Sequence, residues 1–126
     1  MERENPVTRQ AISIIITTPP HGSDAASQAL DTALACAAFE QDVSVIFQDD
    51  GIWQLFAQPI DSPLGDRCAL AQFKLMELYG VNRVLICAAS LASAKLDQTG
   101  LALSGTTLSR QQIAEHLATQ TQVWVY

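Results

Sequence analysis

The sequence predicts a single three-layer α/β domain, a mostly parallel sheet of about five strands flanked by helices. Three observations predict it. Short runs of β-branched and apolar residues recur without polar alternation, as in strands covered on both faces: Ala11–Thr17, Val43–Phe47, Val84–Cys87 and Val123–Tyr126. Between them lie stretches with helical spacing, Asp24–Phe39 and Asp66–Tyr79, and a third opening at Ser109. The chain has 126 residues, enough for one domain of ordinary size.

Residues 1–10 are polar, contain Pro6, and read as a flexible lead-in to a domain over 11–126. Thr18-Pro19-Pro20-His21-Gly22-Ser23 ends the first strand as a loop, and Ser23 or Asp24 is placed to cap the first helix. That helix carries Ala29, Leu30, Ala33, Leu34, Ala37 and Ala38, small side chains suited to close packing on a sheet. Gln48-Asp49-Asp50-Gly51 closes the second strand, and a short apolar turn, Ile52-Trp53-Gln54-Leu55-Phe56, follows it. Gly80 stands where the second helix needs a C-cap. The third strand runs directly into a short helix, Ala88–Ala92, and a weak strand is expected near Leu101–Leu103. Ser109 with Gln112 three residues on forms a capping-box pattern for the last helix.

Composition excludes several functions. A net charge of −6, with seven Lys and Arg scattered between Arg3 and Arg110, offers no basic stripe for a phosphate backbone, so direct nucleic-acid binding is not expected. The three cysteines have no regular spacing and make no disulfide framework. The polar N-terminus is unlike a signal peptide, and no apolar run approaches the roughly 18 residues of a membrane span; the expected location is the cytoplasm. His21 and His116 lie far apart and no Cys or His pair has ligand spacing, so neither a metal nor another cofactor is expected.

In an open α/β sheet, ligands bind beyond the carboxyl ends of the strands. Topology brings His21 and Ser23, Asp49 and Asp50, and Cys87 to Ser90 to that one rim. Each of these also serves as ordinary turn chemistry. Cys87 is the candidate catalytic residue. It ends a strand before a helix N-terminus, where free backbone N–H groups favour a thiolate that could accept and pass on sulfur. Alternatively, it is a small buried hydrophobe. Trp53 and Phe56 are candidate interface residues, in a segment too short to bury its large apolar side chains within its own domain. The loop from Thr17 to Ser23 also leaves a flavodoxin-like flavin-binding module as a minor alternative, since it follows strand one as a phosphate loop would.

Three collinear stretches carry a resemblance: Pro20-His21-Gly22-Ser23 before the alanine-rich helix, Gln41 through Leu55, and Phe73 through Leu91 with Cys87-Ala88-Ala89-Ser90-Leu91 at its end. Together they resemble the DsrE-like sulfur-relay family in its TusC/DsrF branch, from Ala11 to the C-terminus. The resemblance implies a scaffolding or non-catalytic subunit that works beside TusB-like and TusD-like paralogues in a dimer of trimers. Such a complex hands persulfide sulfur to a TusE-like carrier for 2-thiouridine formation at the tRNA wobble position, or serves dissimilatory sulfur metabolism. It also implies that the sulfur-carrying cysteine belongs to the TusD-like paralogue, with direct persulfide transfer through Cys87 as the alternative.

Overall fold

The computed structural model describes residues 10–19, 24–55, 76, 78–81, 83–96 and 105–126. Their order is β1 (Ala11–Ile16), α1 (Ala25–Ala38), β2 (Asp42–Phe47), a 3-10 helix (Asp49–Leu55), β3 (Arg83–Cys87), α2 (Ala88–Ser93), β4 (Thr106–Leu108), α3 (Arg110–Ala118) and β5 (Gln122–Val125). The strands form one five-stranded sheet in the order β4-β3-β2-β1-β5, and every pairing is parallel. The expected strand near Leu101–Leu103 and the expected helix from Asp66 to Tyr79 lie largely outside the described residues. The fourth strand is found a few residues later, at Thr106–Leu108.

Period-two alternation sorts the strands onto two faces. Ile12, Ile14 and Ile16 of β1 share one face with Val43, Val45 and Phe47 of β2 and Ile86 of β3. Against them lies α1 through Ala26, Ala29, Leu30 and Ala33, whose short side chains let the helix sit close to the sheet. On the opposite face Ile15, Ile46, Leu85 and Cys87 meet Ile113 of α3, with Leu117 packed alongside. Two helices on opposite faces account for the near-continuous apolar strands.

Local chemistry fixes the element ends. Ser109 Oγ accepts the Gln112 N–H at 3.1 Å while Gln112 Oε1 accepts the Ser109 N–H at 2.8 Å, the reciprocal pair expected from the sequence. Tyr126 anchors the last strand. It donates its N–H to the Ile15 carbonyl and accepts the Thr17 N–H, both at 2.8 Å, and its hydroxyl lies 2.7 Å from Thr32 Oγ1 on α1. A polar knot sits under α3: Ser13, fully buried, donates to Gln120 Oε1 at 2.9 Å and lies 3.1 Å from His116 Nε2. Burial first, and then the nearby Arg83 charge, hold the His116 imidazole below its ordinary value of 6.5, with Asp42 acting weakly the other way.

The 3-10 helix is seated on the end of β1. The Gln48 N–H donates to the Ile16 carbonyl at 3.1 Å, and a Cβ placed on Gly51 would lie 1.8 Å from that same oxygen. Backbone approaches backbone here, and only glycine fits.

Two outcomes follow from these contacts. Gly51→Ala must push the 3-10 helix off β1, and thermal or urea melts should show a loss of about 3 kcal/mol. His116 is held neutral in the fold, so its contribution to stability is complete above the unfolded-state value and is lost as pH falls through the lowered folded value. Stability should therefore decline as pH falls below about 6.5, and His116→Gln should flatten that part of the profile. Denaturant midpoints measured across this range check it.

Candidate functional site

The carboxyl ends of β1, β2 and β3 gather the candidate rim. β2 delivers Asp49, and β3 delivers Cys87 and, one turn on, Ser90. Asp49 adopts a left-handed backbone with φ 51°, which turns its N–H onto Ser90 Oγ at 2.8 Å and ties the two strand ends together. Short polar residues tolerate this conformation better than most. Asp49 and Ser90 are therefore brought together as the topology predicts. Asp50 is exposed in the first turn of the 3-10 helix. His21 and Ser23, like Phe56 and Cys68, lie outside the described residues.

Other groups join the rim without a sequence signal. Arg110, at the start of α3, stands 3.8 Å from Asp49, and both side chains are more than half exposed, so the pair stabilises little. Gln54 is fully buried, and its Nε2 donates to the Thr18 carbonyl at 3.2 Å. A polar residue between Trp53 and Leu55 looks like a solvent-facing position in sequence. Its burial follows from the tight winding of the 3-10 helix, which turns Gln54 back over the end of β1. Among the described residues no group of His, Cys, Asp and Glu is arranged to hold a metal ion, and no helix is long and apolar enough to cross a membrane.

Cys87 occupies the predicted place, the last residue of β3 and the N-cap of α2. Its thiol, however, makes no capping hydrogen bond. Strand alternation points it the same way as Leu85, into the apolar layer with Ile15, Ile46 and Ile113 beneath α3, and it has no solvent exposure. The helix that follows has six residues, and its Ala89 packs against the same apolar layer. Cys36, in α1, is partly buried against the opposite core, and burial raises its thiol pKa.

The expected apolar turn is the 3-10 helix, and it divides its side chains. Ile52 and Leu55 are 1 % and 0 % exposed and belong to the main core, so the segment buries more within its own domain than its length suggests. Trp53 is 40 % exposed and stands on the outer side of the turn.

Comparison with known proteins places this arrangement. Residues 10–124 match the model of the DsrE/DsrF-like family. The Protein TusC homolog of Vibrio parahaemolyticus is 33 % identical over 106 residues, covering 84 % of this chain and 90 % of that protein. Protein TusC of Shigella flexneri is 35 % identical over 108 residues, covering 85 % and 91 %. Protein TusC of Escherichia coli O9:H4 is likewise 35 % identical over 108 residues. The crystal structure of the ychN protein from E. coli superimposes with a TM-score of 0.78 over 93 % of this chain and 99 % of that one, at 16 % identity, which shows a shared fold. With nearly its whole length matched in sequence and in fold, the chain belongs to the DsrE/DsrF-like family.

Proposed function

We propose that this chain is a non-catalytic, scaffolding subunit of a cytoplasmic sulfur-relay complex. In this reading it assembles with TusB-like and TusD-like paralogues as a dimer of trimers, and the complex passes sulfur to a TusE-like carrier for 2-thiouridine formation at the tRNA wobble position. The relatives named TusC, at about one-third identity over most of the chain, support the pathway. The observation that carries the scaffolding role is the burial of Cys87.

Sulfur transfer needs a thiolate with access to an incoming persulfide and an outgoing acceptor. Cys87 has no solvent exposure and lies in an apolar cluster with Ile15, Ile46, Leu85 and Ile113, against which Ala89, Leu108 and Leu117 pack. Direct transfer through it would require part of this packing to open. The alternative of Cys87 as a persulfide carrier is disfavoured on that ground. The chain is acidic and its seven Lys and Arg are scattered along the sequence, so in this reading tRNA meets the pathway through other proteins.

Trp53 and Phe56 are the side chains we assign to a paralogue contact. Half-exposed tryptophan on a turn whose neighbours are sealed in the core is well supported from below and presents a broad apolar face outward.

Cys87→Ala should leave both complex assembly and delivery of sulfur to tRNA within about twofold of the parent; alanine suits the apolar surroundings better than serine. Loss of thiolated tRNA from an intact complex would overturn the scaffolding role. In the native chain Cys87 should resist a thiol-labelling reagent and react only on unfolding, as peptide mass spectrometry would read. For the contact, Trp53→Ala with Phe56→Ala should weaken co-purification of the paralogues by roughly tenfold or more, with a smaller effect on the melting of the isolated chain. A badly destabilised chain that still assembles would count against the assignment.

A further inference from the structure

The fifth strand forms one edge of the sheet, and apart from its shortness its own residues carry none of the features that usually protect an edge. Gln122-Val123-Trp124-Val125 contains no charge and no proline, its register with β1 is continuous, and all four residues are exposed. Val123 and Trp124 are each 39 % exposed and Val125 is 64 % exposed. The chain as a whole carries a net charge of −6, so an uncharged apolar edge stands out from the rest of its surface.

Hydrogen bonding shows which groups this edge offers. Tyr126 directs both its N–H and its C=O at β1, through Ile15 and Thr17. Alternation then turns the peptide groups of Trp124 toward β1 as well, in register with Ile14, and turns the N–H and C=O of Val123 and Val125 outward. Among the described residues no strand pairs with that outer side.

We propose that this edge pairs with the same edge of a second copy of the chain, antiparallel, about a two-fold axis at Trp124. The sequence around the axis is self-complementary. Val123 of each copy meets Val125 of the other as a hydrogen-bonded pair, using the outward peptide groups of both, and Trp124 meets Trp124 at the non-hydrogen-bonded site between them. At such a site Cα atoms approach to about 4.5 Å and aromatic pairs contribute most. An axis perpendicular to the sheet keeps the faces in line, so the five strands continue into a sheet of about ten, with the α1 helices of both copies on one side. Neutrality selects this occupant, because two copies of an acidic chain can meet along an uncharged strand without bringing like charges opposite each other. The inference stands apart from the sulfur-relay reading and depends only on the strand.

Light scattering coupled to size exclusion, on the purified full chain at micromolar to 100 μM-order loading, tests it. The parent should be a dimer. Val123→Lys combined with Val125→Lys sets lysine opposite lysine at both valine pairs and should raise the dissociation constant by roughly tenfold or more. Val123→Lys combined with Val125→Glu sets opposite charges against each other and should keep the dimer. Both double variants alter exposed positions, and circular dichroism should show them folded. Trp124→Cys should form an inter-chain disulfide on mild oxidation that the parent, with its native cysteines, does not form. A parent that is monomeric throughout, including one whose edge is taken by a different subunit, overturns the proposal. So does a dimer indifferent to the paired lysines.

Discussion

β1 has to be covered on both faces and paired on both edges, and most of the domain is arranged to satisfy that demand. Ile12, Ile14, Ile15 and Ile16 are all essentially without solvent exposure. A strand with apolar side chains on both faces cannot lie at the surface, which requires a helix on each side of the sheet. The alanine-rich α1 supplies one and α3 the other. The strand's edges are taken by β2 and β5. Because β5 is the last strand, the chain must cross from the far edge at β4 back past β1, and α3 is the element that makes this crossing. The closing of the fold and the covering of Cys87 are thus one event.

This dependence explains which features were legible in the sequence. Four of the strands announce themselves as nearly continuous apolar runs, and the capping box at Ser109 and Gln112 marks α3 to the residue. Strand order was not legible, since parallel strands carry no mark of their neighbours and β5 would read the same beside β4 as beside β1. Gln54 was missed because a single polar residue in an apolar run reads as an outward position; the 3-10 winding turns it inward over β1. The division of the turn into buried Ile52 and Leu55 and exposed Trp53 was likewise hidden, because its cause is the contact of Gly51 with the Ile16 carbonyl, two positions far apart in sequence.

Cys87 shows how a local prediction of position leaves the surroundings of a side chain open. Its position at a strand end and helix start was right. The expectation of a stabilised thiolate rested on an accessible sulfur beside the helix N–H groups, whereas the side chain makes no capping hydrogen bond and lies in the apolar cluster that includes Ile113 of α3. Sequence spacing gives the residue's place along the chain; the side of the sheet depends on register, which Leu85 and Cys87 share. A paralogue with the same backbone and a different covering helix could expose the equivalent sulfur. A family of related subunits can divide reaction and support among its members on that basis, by varying what packs on the sheet while keeping the sheet itself.

The same logic separates the two surfaces that the fold leaves unfinished. The rim at the strand ends is polar, built from Asp49, Ser90 and Arg110, with Trp53 the apolar exception beside it. The β5 edge is apolar and uncharged. β1 lies between them, with the 3-10 helix seated on its carboxyl end and β5 along its side. A contact at one surface therefore bears on the same rigid strand as a contact at the other. Because β1 is buried throughout and paired on both edges, it has little freedom to move, and partners at the two surfaces would be held at a fixed spacing and angle. For a subunit whose proposed role is to position a neighbour's chemistry, that rigidity is the useful property: a stiff central strand transmits placement without having to supply a reactive group.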